Sequence, residues 1–292
     1  MLSLLAATGT ADPIYWSDLG LRPGIELGFF TLRYYSLAYL IGVMFAYWHT
    51  SKMLKQPGAP MAQRHADDLF FYCTLGVILG GRLGYAMFYD TSLWTGFAGE
   101  GLVTWKLLRL WDGGMSFHGG LAGVTLAMFY VAWRDKLNFI RVVDYVAVGV
   151  PMGMLLGRLA NFVNGELWGR VSDVPWAMIF PGGGEVPRHP SQLYQAGLEG
   201  LALLIVMMAL FWLTRARYRP GLLAGVFTLG MGIARFVNEF FREPDQQLAD
   251  FAARTGLSMG QWLTIPLILT GLTVVLFALR KKPLAAGTTA PA

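Results

Sequence analysis

The sequence predicts an all-α polytopic membrane protein, about seven transmembrane helices with a small extracytoplasmic cap made of loops. Three observations carry that prediction. The 292 residues are 55% hydrophobic and only 14% charged, outside the range of ordinary soluble domains. Apolar stretches recur along the chain, each roughly the 20 residues that a helix needs to cross a bilayer. The basic residues alternate with the connections instead of gathering in one patch, so the net charge of +5 reflects membrane topology and no nucleic-acid partner is expected.

Residues 1–27 read as an extracytoplasmic, interfacial arm. The opening MLSLLAATGTA has a short apolar core and no basic leading segment, so it is read as retained, not as a cleaved signal. DPIYWSDLGLRPGIEL then mixes aromatics, prolines and acids, as a segment lying at the membrane surface does. Spans follow near 28–50, 69–89, 117–133, 142–160, 191–214, 221–241 and 261–279, so that 28–280 forms one membrane domain and 281–292 a cytoplasmic tail. Two long connections, 90–116 with Trp94, Trp105 and Trp111, and 161–190 with PWAMIFPGGGEVPRHP, carry proline and glycine at a density that specifies turns. These two form the expected cap.

Orientation comes from the connections. Those after the first, third and fifth spans, together with the tail, hold twelve of the 23 Lys and Arg against three acids (Asp67, Asp68 and Asp135). The positive-inside rule places them in the cytoplasm, with the C-terminus, and the N-terminus outside. Neither half of the chain repeats the spacing of the other, which weighs against a transporter of duplicated halves. The single cysteine, Cys73, lies in an apolar run with no neighbouring base and reads as a small hydrophobe. No metal cluster or cofactor is expected, and any thiol in the chemistry arrives with a substrate.

Against this apolar background the stretch Gly157–Arg170, GRLANFVNGELWGR, stands out: two arginines, two asparagines, Glu166 and three glycines close to the end of a span. Lipid-exposed backbone there cannot satisfy its polar groups, so the segment is buried in protein or lines a wet cavity. Arg82, Arg158 and Arg235 lie within or at the ends of spans, where an unpaired charge costs at least about 2.5 kcal/mol. Two readings stand beside each other: ion pairs with Asp144, Glu166, Glu239 or Asp90, or a grip on a lipid phosphate, for which the planar guanidinium fork is well suited. Glu239, four residues after Arg235, is placed to orient or neutralise it. His118 opens HGGLAG, as an interfacial hydrogen-bonder or as a group that takes a proton from a thiol near neutral pH; the following glycines would admit a headgroup to the backbone. In RHPSQLYQ, Pro190 and Ser191 read as a helix start with Ser191 capping, leaving His189, Gln192 and Tyr194 as spare polar groups. Tyr34, Tyr35 and Tyr39 suit an aromatic belt, with Tyr35 also able to face inward. There is no GxSxG elbow.

LRYYSL, HGGLAG, GRLANFVNGELWGR, RHPSQLYQ and ARFVNEFFREPD, in this order, resemble the motifs of the bacterial prolipoprotein diacylglyceryl transferase family. The resemblance runs from the first span to the loop after the sixth. It implies a seven-helix enzyme of the inner membrane that moves the diacylglyceryl group of phosphatidylglycerol onto the lipobox cysteine thiol of a preprolipoprotein, forming a thioether and releasing glycerol phosphate. Carried over position by position, it implicates Tyr35, His118, Asp144, Arg158, Asn161, Asn164, Glu166, Gly169 and Arg235, with Glu239 in support. Met231 stands where the family often has tyrosine, Gln195 where glutamate is frequent and Ala160 where glycine is, so no acid–base role is assigned to 231 or 195. On chemical grounds Arg158 and Arg235 are expected to hold phosphate and His118 to act as base. Asn161 is expected beside them at the headgroup, with Asn164–Arg170 as the turn that carries the cap. A lipid or anion transporter with an arginine-lined cavity is the alternative, and a scaffold whose polar stretch only ties helices together is a third reading.

Overall fold

A computed structural model describes residues 13–28, 31–99, 103–243 and 254–285. Among these, seven long helical segments account for most of the chain: α1 (Tyr34–Leu54), α2 (Gln63–Phe88), α3 (Phe117–Arg134), α4 (Phe139–Val163), α5 (Ser191–Leu213), α6 (Leu222–Asn238) and α7 (Met259–Arg280). Four of them, α2, α4, α5 and α7, are both long and apolar enough to cross a bilayer, and α6 is apolar but shorter. The starts are written in the sequence. Ser116 accepts a hydrogen bond from the Gly119 amide (3.2 Å) to open α3, Asn138 accepts from the Arg141 amide to open α4, and Ser258 and Gln261 form a reciprocal capping box on α7.

The bundle is assembled from pairs. α3 lies along α2, α7 along α6, and α4 sits centrally between α1 and α5. Glycine decides how closely α2 and α3 approach. Gly76 and Gly80 meet Gly119 and Gly123, and a Cβ at Gly123 would lie 2.0 Å from the Gly76 carbonyl oxygen. The glycines of HGGLAG therefore serve helix packing, not access of a headgroup to the backbone as their position suggested. Around Tyr145, Phe211, Met207, Leu223 and Val142 the inner side chains form a contiguous apolar core, against which Cys73 and Met231 pack.

One end of the bundle gathers the starts of α1, α3, α5 and α7 with the ends of α2, α4 and α6, and this end carries the cap. The cap contains more than the two connections. Strand β1 (Ile14–Tyr15) pairs in parallel with β4 (Met178–Ile179) of the 161–190 connection, and the Trp16 indole donates to the Phe162 carbonyl at the end of α4 (2.8 Å). β2 (Gly24–Glu26) and β3 (Thr31–Arg33) form an antiparallel ribbon, so α1 begins at Tyr34 and not near residue 28. Residues 13–27 of the arm are thus part of the cap, residues 1–12 lie outside the described residues, and the fold has short strands that the all-α expectation lacked.

Arg82 is 4% exposed and is fully committed to the other half of the cap. Its guanidinium donates to the carbonyls of Lys106 (2.5 Å), Leu107 (2.9 Å), Arg109 (3.1 Å), Gly114 (3.2 Å) and also Gly113. Neither reading open for it holds: it is neither paired with Asp90 nor directed at a phosphate, because backbone carbonyls occupy all three of its nitrogens.

Candidate active site

The cap-side turns of α4 and α6 each present an arginine, and α5 supplies the carboxylate between them. Arg158 Nη2 lies 3.4 Å from Glu199 Oε2, and Arg235 Nη2 lies 3.4 Å from Glu239 Oε2, with Arg242 Nη1 3.8 Å from the same oxygen. Glu199 is also within electrostatic reach of Arg235 and Glu239, which joins the two pairs into one cluster. Glu199 is fully buried and Glu239 nearly so, whereas both Arg158 and Arg235 keep 23% of their side chains exposed. With both carboxylates ionised, three guanidinium groups leave one positive charge in excess. The separations exceed the roughly 2.7–2.9 Å of a tight charge-assisted bond. The guanidinium forks are therefore directed by the carboxylates without being consumed by them, and donors remain for an anion.

Glu199 owes its place to an irregular turn. Residues Ala196–Ala202 of α5 form a π-helical segment, a rare geometry that is frequent at functional sites. Its neighbour Gly200 lies directly against the backbone of Leu155 on α4. Sequence reasoning passed over Glu199. The available signal was a single carboxylate inside the apolar run 191–214, which marks a functional position by default.

Beside the arginines, Glu166 organises the turn after α4. Its Oε1 accepts from Asn161 Nδ2 (2.9 Å) and Asn164 Nδ2 (3.2 Å), while its backbone carbonyl accepts from Gln192 Nε2 (2.6 Å). Asn161 and Asn164 thus each direct their amide at Glu166. Ser191 does not cap α5; it is buried and donates to the Leu167 carbonyl (3.0 Å), because Pro190 occupies the cap position. Gly169 marks a chain crossing: its amide donates to the His189 carbonyl (2.8 Å), and a Cβ there would lie 2.3 Å from the Phe241 carbonyl oxygen. His189 in turn approaches the Tyr194 hydroxyl (3.1 Å), which accepts from the Trp176 indole, and burial holds the His189 imidazole below its ordinary pKa. Tyr35, in the first turn of α1, stands within electrostatic reach of Arg158 and Glu166.

The structure therefore brings together Tyr35, Arg158, Asn161, Asn164, Glu166, Arg235 and Glu239, with Gly169 at the adjoining crossing. Asp144 stands elsewhere, and His118 lies at the cap end outside the hydrogen bonds and ion pairs of the cluster. Asp144 precedes Arg158 by fourteen residues on one helix, a rise of roughly 21 Å. It is buried at the opposite end of the bundle, where it accepts from the amides of Gly221 (2.7 Å) and Ala224 (2.8 Å) and so caps α6. It pairs with none of the three intramembrane arginines. His118 is exposed in the first turn of α3, its ring 5.6 Å from Phe117, and among the described residues it makes no hydrogen bond to the cluster.

The class that fold and site define is a helical membrane protein holding an arginine–carboxylate cluster under a cap. Residues 24–277 match the family described as prolipoprotein diacylglyceryl transferase. The chain is 65% identical over 277 residues to the phosphatidylglycerol–prolipoprotein diacylglyceryl transferase of Erythrobacter litoralis, covering 94% of this chain and 96% of that protein. Proteins of the same name from Zymomonas mobilis and Rhodospirillum rubrum are 45% and 47% identical, over 92% and 89% of this chain and 95% and 93% of theirs. The chain belongs to the prolipoprotein diacylglyceryl transferase family.

Proposed function

We propose that the cluster of Arg158, Glu199, Arg235 and Glu239 is where the diacylglyceryl group of phosphatidylglycerol passes to a lipobox cysteine of a preprolipoprotein. The chain is a membrane transferase of lipoprotein biosynthesis. In the reaction the cysteine sulfur attacks the glyceryl carbon that bears the phosphate. A C–S bond forms, the C–O bond to phosphate breaks, glycerol phosphate leaves with the electron pair, and the thiol proton goes to a base.

The observation that carries this reading is three guanidinium groups, those of Arg158, Arg235 and Arg242, facing two carboxylates with one excess positive charge. A phosphodiester monoanion neutralises that excess. As the leaving phosphate gains charge, preorganised donors in a low-dielectric site stabilise it more than they stabilise the bound lipid, which lowers the barrier. Arg158 and Arg235 hold phosphate; Asn161, Asn164 and Glu166 shape the wall beside it, Gly169 the crossing behind them, and Tyr35 the mouth. His118 is the proposed base. Of the four histidines, His49 and His65 are buried toward the opposite end and His189 is engaged with Tyr194, whereas His118 is exposed at the cap end.

We assign the seven helices to seven crossings, with the N-terminus and cap outside the inner membrane and the C-terminus in the cytoplasm. Lys52, Arg64, Arg134, Arg141, Arg217 and Arg280 all fall at the end opposite the cap, as the positive-inside rule requires.

The test is transfer of label from acyl-labelled phosphatidylglycerol to a lipobox peptide by purified protein, with a serine peptide as control. Label on the cysteine peptide alone is the expected result, and its absence under every lipid condition overturns the reading. His118→Asn is expected to lose activity by about 100-fold or more, the range for a general base; near-normal turnover removes His118 from the mechanism.

A further inference from the structure

The motif at the entry to α5, RHPSQLYQ, begins with an arginine that the transfer chemistry leaves unused. Arg188 keeps only 12% of its side chain exposed, although it lies in a connection of the cap. Its Nε donates to the Gly183 carbonyl (2.8 Å), and its guanidinium lies on the Trp168 ring, 4.2 Å from the centroid. Those two contacts fix the plane of the fork. Its Nη1 then reaches two separate segments at once, the Gly169 carbonyl (3.2 Å) in the connection after α4 and Glu243 Oε2 (2.9 Å) beyond α6.

These segments cross where Gly169 forms an antiparallel bridge with Arg242. Arg170 fastens the main chain there, its amide donating to the Phe241 carbonyl (2.9 Å) and its Nε to the Arg242 carbonyl (2.8 Å). Neighbouring side chains of extended chain take opposite faces; here Glu243 turns to Arg188 while Arg242 turns to Glu239. Arg242 is the least firmly held guanidinium of the cluster, 3.8 Å from its carboxylate against 3.4 Å for Arg158 and for Arg235. Its place therefore depends on the register of the crossing. A slip of one residue would present Glu243 in its stead, and three guanidinium groups with two carboxylates would become two with three, an excess of one positive charge turned into one negative. We propose that Arg188 is a positioning residue for the transfer: by holding Gly169 and Glu243 together it keeps the register that delivers Arg242, and not Glu243, to the cluster. This rests on the transferase reading of that cluster.

The test is a double-mutant cycle in kcat/KM for transfer from phosphatidylglycerol to a lipobox peptide, with thermal unfolding of each variant in the same detergent. Arg242→Gln is expected to lower kcat/KM about tenfold, the low end for one charge-assisted bond. Arg188→Gln is expected to cost about fivefold in the wild-type background and less than about twofold once Arg242→Gln is present, because both remove the same charge. A loss of folded protein would instead lower activity by the same factor in both backgrounds. Glu243→Ala, at an exposed position, is expected to cost about two- to threefold and to lose that effect in the Arg242→Gln background; it carries the comparison should Arg188→Gln not fold. Equal losses in the two backgrounds, or no loss from Arg242→Gln or from the Arg188 and Glu243 variants, overturn the positioning role and leave the transferase reading intact. No transfer by the wild-type chain overturns the transferase reading instead, and the positioning role with it.

Discussion

Replacing Arg158 with lysine keeps the charge and removes the fork, so it separates phosphate recognition from simple charge balance. Arg158 faces Glu199 at 3.4 Å with about a quarter of its side chain exposed, leaving guanidinium donors for a ligand. Lysine offers a compact point charge that holds Glu199 or an oxygen of the phosphate, without the planar geometry that does both. Losing one charge-assisted hydrogen bond costs about 1.5–3 kcal/mol, which is roughly 10- to 150-fold in kcat/KM. Because the charge on the leaving phosphate grows toward the transition state, most of this falls on kcat and little on KM. The assay is steady-state transfer from phosphatidylglycerol to a lipobox peptide in mixed micelles, beside thermal unfolding of the variant in the same detergent. A folded variant within about threefold of wild-type kcat/KM would refute the argument and make Arg158 a structural partner of Glu199.

Three further outcomes follow from the fold. Asp144→Asn weakens the cap on α6 and is expected to lower stability by about 1 kcal/mol with KM for phosphatidylglycerol unchanged; a raised KM at unchanged stability would return Asp144 to the substrate site. Gly123→Ala drives a Cβ into the Gly76 carbonyl and is expected to cost about 1–3 kcal/mol, read as a lowered Tm, whereas Gly153→Ala, with open space around its Cβ, leaves Tm nearly unchanged. Arg82→Met removes the five guanidinium–carbonyl bonds that tie the 103–116 connection to α2 and is expected to open it to protease well before the helices are cut; an equally resistant loop would show that its backbone bonds and the packing of Leu107 suffice.

Helix placement was legible because hydropathy reports burial in lipid directly. The expected span 117–133 coincides with α3 to within a residue, and 261–279 falls inside α7. The expected start near 28 differs from Tyr34 because the sequence LGFFTL is apolar up to Arg33, while the backbone of residues 31–33 pairs with 24–26, a choice that hydropathy does not register. The arm's share in the cap was hidden for the same reason: β1 and β4 meet through backbone bonds between segments far apart in sequence. Among the arginines, residue type marked all three as costly, yet only geometry separated Arg82, surrounded by carbonyls, from Arg158 and Arg235, which face carboxylates. Glu199 carries the one sequence signal of a carboxylate inside an apolar run, but belongs to no glycine-rich or arginine-rich motif, so only the π-helical turn and its contact with Arg158 tie it to the site.

The pairing of β1 with β4 also fixes an order of events during synthesis. Ile14 leaves the ribosome before any of the helices, and its partner Met178 only after four of them have been made. At about 5–20 residues per second the interval is on the order of ten to thirty seconds. Throughout that time the arm waits without its partner strand, and Trp16 without the carbonyl of Phe162. The cap can close only once the connection after α4 has been made and has folded back, so its β1–β4 part is completed late, with a segment made before any of the helices.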